Sequence, residues 1–108
     1  MTNYQKVLIT VSTSTSFISE YNDLMKILYK TEDEKLRKCL NDWLSVLVNA
    51  NKLSDSNKKR KLRIYLNNNR VYKDMLVIYC KEMERLKKPE WQVLAERYGW
   101  VEGDSLNE

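Results

Sequence analysis

Histidine is absent from this chain, and the 108 residues include only two glycines, one proline and two cysteines. Each scarcity removes a class of chemistry. Without histidine there is no imidazole base, no Ser-His or Cys-His nucleophile pair and none of the common zinc sites. Gly99 and Gly103 cannot write a phosphate-binding loop or a dinucleotide fingerprint. Cys39 and Cys80 are too few for a zinc knuckle, and both fall on apolar stripes of predicted helices. Buried, reduced thiols are therefore expected. No stretch approaches the roughly 20 apolar residues that a membrane span needs. Val7–Val11 runs straight into Ser12–Ser16, too short and too polar for the core of a secretory leader. One enzymatic route remains, paired carboxylates. Glu20 and Asp23 lie three apart on a predicted helix, where a solvated face is weighed against an acid–base or metal role. The expectation is a cytoplasmic, non-enzymatic protein with no metal, no cofactor and no membrane contact.

What is present favours helices. The chain is 43% hydrophobic and 31% charged, rich in Leu, Lys, Glu and Met and poor in breakers. Its length suits one hydrophobic core, so residues 1–108 read as a single helical domain with an acidic, polar tail at 101–108. Abundant Asn, Lys and Tyr beside scarce Ala point to an A+T-rich coding sequence, a composition that fits a phage or another mobile element.

The fold class predicted is all-α, a bundle of about five helices with short loops. Residues 4–15 support two readings. Val7, Ile9 and Val11 alternate as in a strand, yet Val7, Val11, Ile18, Tyr21, Met25 and Leu28 also fit helical spacing. A helix over Phe17–Tyr29 follows. Thr31-Glu32-Asp33-Glu34 reads as a capping box, with Thr31 as cap and Glu34 reaching back. Leu36, Leu40, Trp43, Leu47 and Ala50 then repeat at 4-3-4-3, the mark of an amphipathic core helix. Leu53–Asn57 reads as a linker, Lys58–Leu66 as a short basic helix and Asn67-Asn68-Asn69 as its end. A further helix over Val71–Lys87 carries Tyr72, Leu76, Tyr79, Met83 and Leu86. Lys88-Pro89 breaks the chain before a last helix, Glu90–Tyr98, which presents Trp91, Leu94 and Ala95 to the bundle and stops at Gly99.

The most informative feature is a charge run. Between Ser56 and Lys73 lie Lys58, Lys59, Arg60, Lys61, Arg63, Arg70 and Lys73, with no acidic residue among them. Removing these seven charges from the net +4 leaves the rest of the chain at −3. Such segregation suits phosphate or carboxylate partners. Four of the cations sit at a predicted helix start, where the macrodipole is positive and each costs about 0.3–1 kcal/mol at low salt. Local stability does not select that arrangement, and local rules are often broken where function intervenes. Arg60, Arg63 and Arg70 are the candidates for bidentate phosphate contacts, with Tyr65 and Tyr72 close enough in sequence to stack on bases. Trp100, just past Gly99, is a candidate anchor for a partner. Gly99 leaves too little chain behind it for a helix-turn-helix.

Three functional readings follow. First is a regulatory or interaction protein that binds a nucleic-acid-handling protein or complex through the basic surface. The second is direct DNA or RNA binding without sequence preference. The third is self-association through the wide apolar helix faces.

Overall fold

A computed structural model describes residues 1–99 and shows the expected all-α bundle of five helices. They are α1 (Asn3–Thr13), α2 (Phe17–Lys30), α3 (Glu34–Asp55), α4 (Lys59–Leu86) and α5 (Glu90–Arg97). The expectations placed on residues 101–108 and on Trp100 lie outside the described residues.

The ambiguous N-terminus is helical. Burial explains why: Tyr4 and Val7 are enclosed while Ile9 faces water, which fits a helix and not an alternating strand. The helix does not run on into α2, however. Hydroxyls of Thr10, Ser12, Thr13 and Ser14 bond back to carbonyls three or four residues earlier. The chain breaks at Ser14–Ser16, where Ser16 caps α2 by accepting the Ser19 amide at 3.1 Å.

Helix α3 begins two residues later than the capping box implied. Asp33, not Thr31, is the cap: its Oδ1 accepts the amides of Lys35 at 3.0 Å and Leu36 at 3.3 Å. Thr31 instead ends α2, and its hydroxyl accepts the Asp33 amide. A carboxylate satisfies two orphan amides at the positive helix end, which one hydroxyl matches less well.

The region read as linker, basic helix, Asn break and second helix is different in the structure. Leu53–Asp55 belong to α3, and α4 passes without interruption through Asn67-Asn68-Asn69 for 28 residues. Asn costs a helix only about 0.5 kcal/mol per residue relative to the best formers. Packing of Tyr65 and Leu66 on one side of the triplet, and of Leu76 and Cys80 on the other, outweighs that. The reversal between α3 and α4 is compact. Asn57 adopts left-handed angles (φ 58°), its amide bonds the Ser54 carbonyl, and the Lys58 amide reaches Leu53. This pair of bonds is a Schellman motif, and Asn is the non-glycine residue that tolerates it best.

Cross-contacts fix the directions. Asp33 meets Tyr79, Trp43 meets Lys73 and Asn49 meets Tyr65, so α3 and α4 are antiparallel. Thr2 meets Glu84 and Glu20 meets Trp43, which makes α1–α4 and α2–α3 antiparallel as well. The four helices form an up-down-up-down bundle around Leu24, Leu36, Leu40, Leu47 and Leu76, all fully enclosed. Cys39 and Cys80 are buried and free, as expected. Burial pushes both thiols up, Cys80 to about 12.

Helix α5 closes the lower end. Gly99, at φ 82°, supplies the left-handed stop, and its amide bonds Glu96. The contact residue differs from expectation: Val93 is buried, whereas Trp91 is 55% exposed. Because α1 and α2 are 11 and 14 residues long against 22 and 28 for α3 and α4, the α3–α4 hairpin overshoots the body. Phe17, at the start of α2, sits level with Leu47 and Leu66, and beyond that level no residue from 51 to 64 is buried. The hairpin stretches the molecule to 63 Å by 23 Å by 21 Å.

Candidate functional site

The overshooting hairpin carries the charge run, and the structure divides it in two. Lys58, Lys59, Arg60, Lys61 and Arg63 occupy the tip, all of them exposed. None makes an ion pair among the described residues. Asp55, the nearest acid in sequence, is held instead by the Asn51 side chain on its own helix. The first turn of α4 holds no acidic residue, and its cap position, Lys58, makes no side-chain capping bond. Successive residues turn by roughly 100°, so the cations at 58–61 point to all sides of the helix end. The orphan amides of that end add their partial positive charge. Topology adds one cation that the run did not include. Lys52 lies in the last turn of α3, and the reversal at Asn57 places that turn at the same end of the hairpin. Only the predicted helix pairing, which the sequence did not give, would have revealed it.

Arg70 and Lys73 do not belong to the tip. They line a groove of about 480 Å³ between α2, α3 and α4, together with Glu20, Trp43, Asn67 and Asp74. Arg70 faces Asp74 one turn on, at 3.8 Å in an exposed pair worth at most about 1 kcal/mol. Lys73 lies with its ammonium 5.8 Å from the centre of the Trp43 ring. Its charge also acts on Glu20. Of the stacking candidates, Tyr65 is half-buried and accepts a bond from Asn49 at 3.0 Å, while Tyr72 is exposed.

The carboxylates thought of as a pair are separated. Asp23 is exposed, but Glu20 turns inward, where Trp43 Nε1 donates to its Oε2 at 2.5 Å. Burial pushes the Glu20 carboxyl up; the indole bond and Lys73 pull in the opposite direction without cancelling it. Among the described residues no group of three His, Cys, Asp or Glu side chains converges as a metal site would require.

A second buried carboxylate went unnoticed in the sequence. Asp33 is fully enclosed, accepts the Tyr4 hydroxyl at 2.7 Å and the Tyr79 hydroxyl as well, and pairs with Arg97 at 3.2 Å. Burial and these bonds hold both phenols far above their ordinary range, so they stay protonated and donate to the Asp33 carboxylate. Asp33 thus ties α1, α3, α4 and α5 together. With every lone-pair direction engaged, it has nothing left for a substrate. Its role is to hold the closed end of the bundle, opposite the open, cationic end.

Compared with known proteins, the chain matches no family model, no curated protein and no solved structure.

Proposed function

We propose that the protein is a non-enzymatic binding module that presses its hairpin tip against the phosphate backbone of nucleic acid, without sequence preference. One observation carries this reading: five exposed cations, none ion-paired among the described residues, crowd an uncapped helix start that projects beyond the bundle. Two further facts support it. The described buried acids, Glu20 and Asp33, are engaged in internal bonds, and the chain has no histidine to take up catalysis. The tip also lacks an apolar centre. A nucleic-acid-handling protein or complex, the partner the sequence placed first, calls for a desolvated core with a polar rim. A helix end ringed by cations fits a polyanion, where counterion release supplies the affinity.

The test is fluorescence anisotropy with duplex and single-stranded DNA between 50 and 200 mM salt. Four or five phosphate contacts predict an affinity that falls a few-hundred-fold, roughly, across that range. Lys58, Lys59, Arg60 and Lys61 changed together to Ser should abolish most of that slope while leaving the helical circular dichroism intact. Salt-independent binding, or no binding at 50 mM, would refute the proposal.

A further inference from the structure

Helix α4 carries a second unexplained feature on a face away from the core. Ile64, Val71, Met75 and Ile78 are 48%, 52%, 52% and 66% exposed. At 100° per residue, Ile64 and Ile78 lie within roughly 20° of Val71 around the helix, and Met75 within about 40°. They form one apolar seam on a helix whose opposite side is already packed against α1 and α3. The spacing is symmetric. Ile64 and Ile78 stand seven residues either side of Val71, and Arg60 and Glu82 stand eleven either side, on the same azimuth.

We infer that the seam seats the same seam of a second copy, the two α4 helices running antiparallel about a two-fold axis at Val71. A two-fold contact is self-complementary: if residue i meets residue j, then j meets i. An axis at Val71 sets Ile64 against the partner's Ile78 and Arg60 against the partner's Glu82, and then repeats both contacts on the other side. Met75, the most adaptable side chain in the seam, faces the partner's Asn67. Charge selects the orientation. The half of α4 before Asp74 holds cations only, whereas the half after it mixes signs, with Glu82 and Glu84 beside Lys81 and Arg85. A parallel pair would stack two cationic tips. The antiparallel pair keeps the two tips apart and carries each toward the other helix's dipole-negative end, where Glu82 lies on the seam's azimuth. Arg85 already holds Glu82 on the surface, at 2.6 Å, so that carboxylate is ionised and positioned beside the seam.

Sedimentation equilibrium of the full chain, from about 1 µM to 1 mM, reads the association directly; a short apolar seam of this kind gives a weak interface. The wild type is expected to pass from monomer to dimer and stop there. Val71→Glu, which sets two like charges across the axis, should remain monomeric with an unchanged thermal unfolding curve. Arg60→Glu and Glu82→Arg should each weaken the dimer about tenfold, and the two combined should recover it. Val71→Cys should oxidise to a disulfide-linked dimer. A wild type that is monomeric throughout, or a double charge swap that recovers nothing, overturns the inference. So does association that continues past the dimer.

Discussion

Two buried carboxylates show how single residues set this fold, and they do so in opposite ways. Asp33 is paired: it accepts from two tyrosines and two amides and faces Arg97. Removing one partner of a buried ionic network costs far more than forming it contributes, because the remaining groups are left unsatisfied. Asp33→Ala is therefore expected to lower the unfolding free energy by about 3–5 kcal/mol in a denaturant titration. A loss under about 1 kcal/mol would show that α1, α4 and α5 do not depend on it. Glu20 is less well compensated. Its pKa is raised in the folded state, chiefly by burial, so folding binds a proton there more tightly than the unfolded chain does. That contribution is fully present below the ordinary carboxyl value of 4.5 and fades as pH rises through the raised one. Glu20→Gln keeps an acceptor for Trp43 but cannot ionise. The stability of wild type relative to the Gln variant should fall as pH climbs above 4.5 toward neutrality. A difference that stays flat with pH would contradict this account.

At the level of helices, the sequence was readable where local signals and packing agreed. The 4-3-4-3 stripe of Leu36, Leu40, Trp43, Leu47 and Ala50 is buried as a set, and Gly99 stops α5 as its type suggests. Readings failed where long-range contacts overruled local preference. Three consecutive asparagines look like a helix end, yet the contacts on both sides of them hold α4 straight. Asn67→Pro is expected to cost about 3 kcal/mol, since it deletes a helical hydrogen bond and clashes with the preceding turn; a fully tolerated proline would mean that α4 is two helices. Thr31 and Asp33 both resemble caps, and only the tyrosines and the arginine that gather from α1, α4 and α5 favour Asp33. None of the three is near it in sequence. The charge run was legible as a run, but its division was not. Whether a cation joins the tip or the groove depends on where α2 begins beside the hairpin.

For the whole molecule, the bundle has polar ends of contrasting character. The closed end ties four helices through Asp33, and among the described residues no buried polar side-chain atom lacks a partner. The open end concentrates like charge where the helix dipole already opposes it. With two copies joined at Val71, the tips would lie thirteen residues from the axis on each side, roughly 40 Å apart at 1.5 Å per residue. That separation is close to one turn of duplex DNA, about 35 Å. Both tips could then engage one duplex.

The central claim is that the tip keeps its cations at the expense of local stability because they contact phosphate, and Lys58→Asp tests it with two readouts on one protein. Asp at this cap position supplies the missing acceptor for the α4 amides and should raise the unfolding free energy by about 1 kcal/mol. The same change should lower affinity for duplex DNA about tenfold at low salt and make the salt dependence shallower by about one unit of slope. Greater stability together with weaker binding is the predicted result. A more stable variant that binds as tightly as the wild type would contradict it.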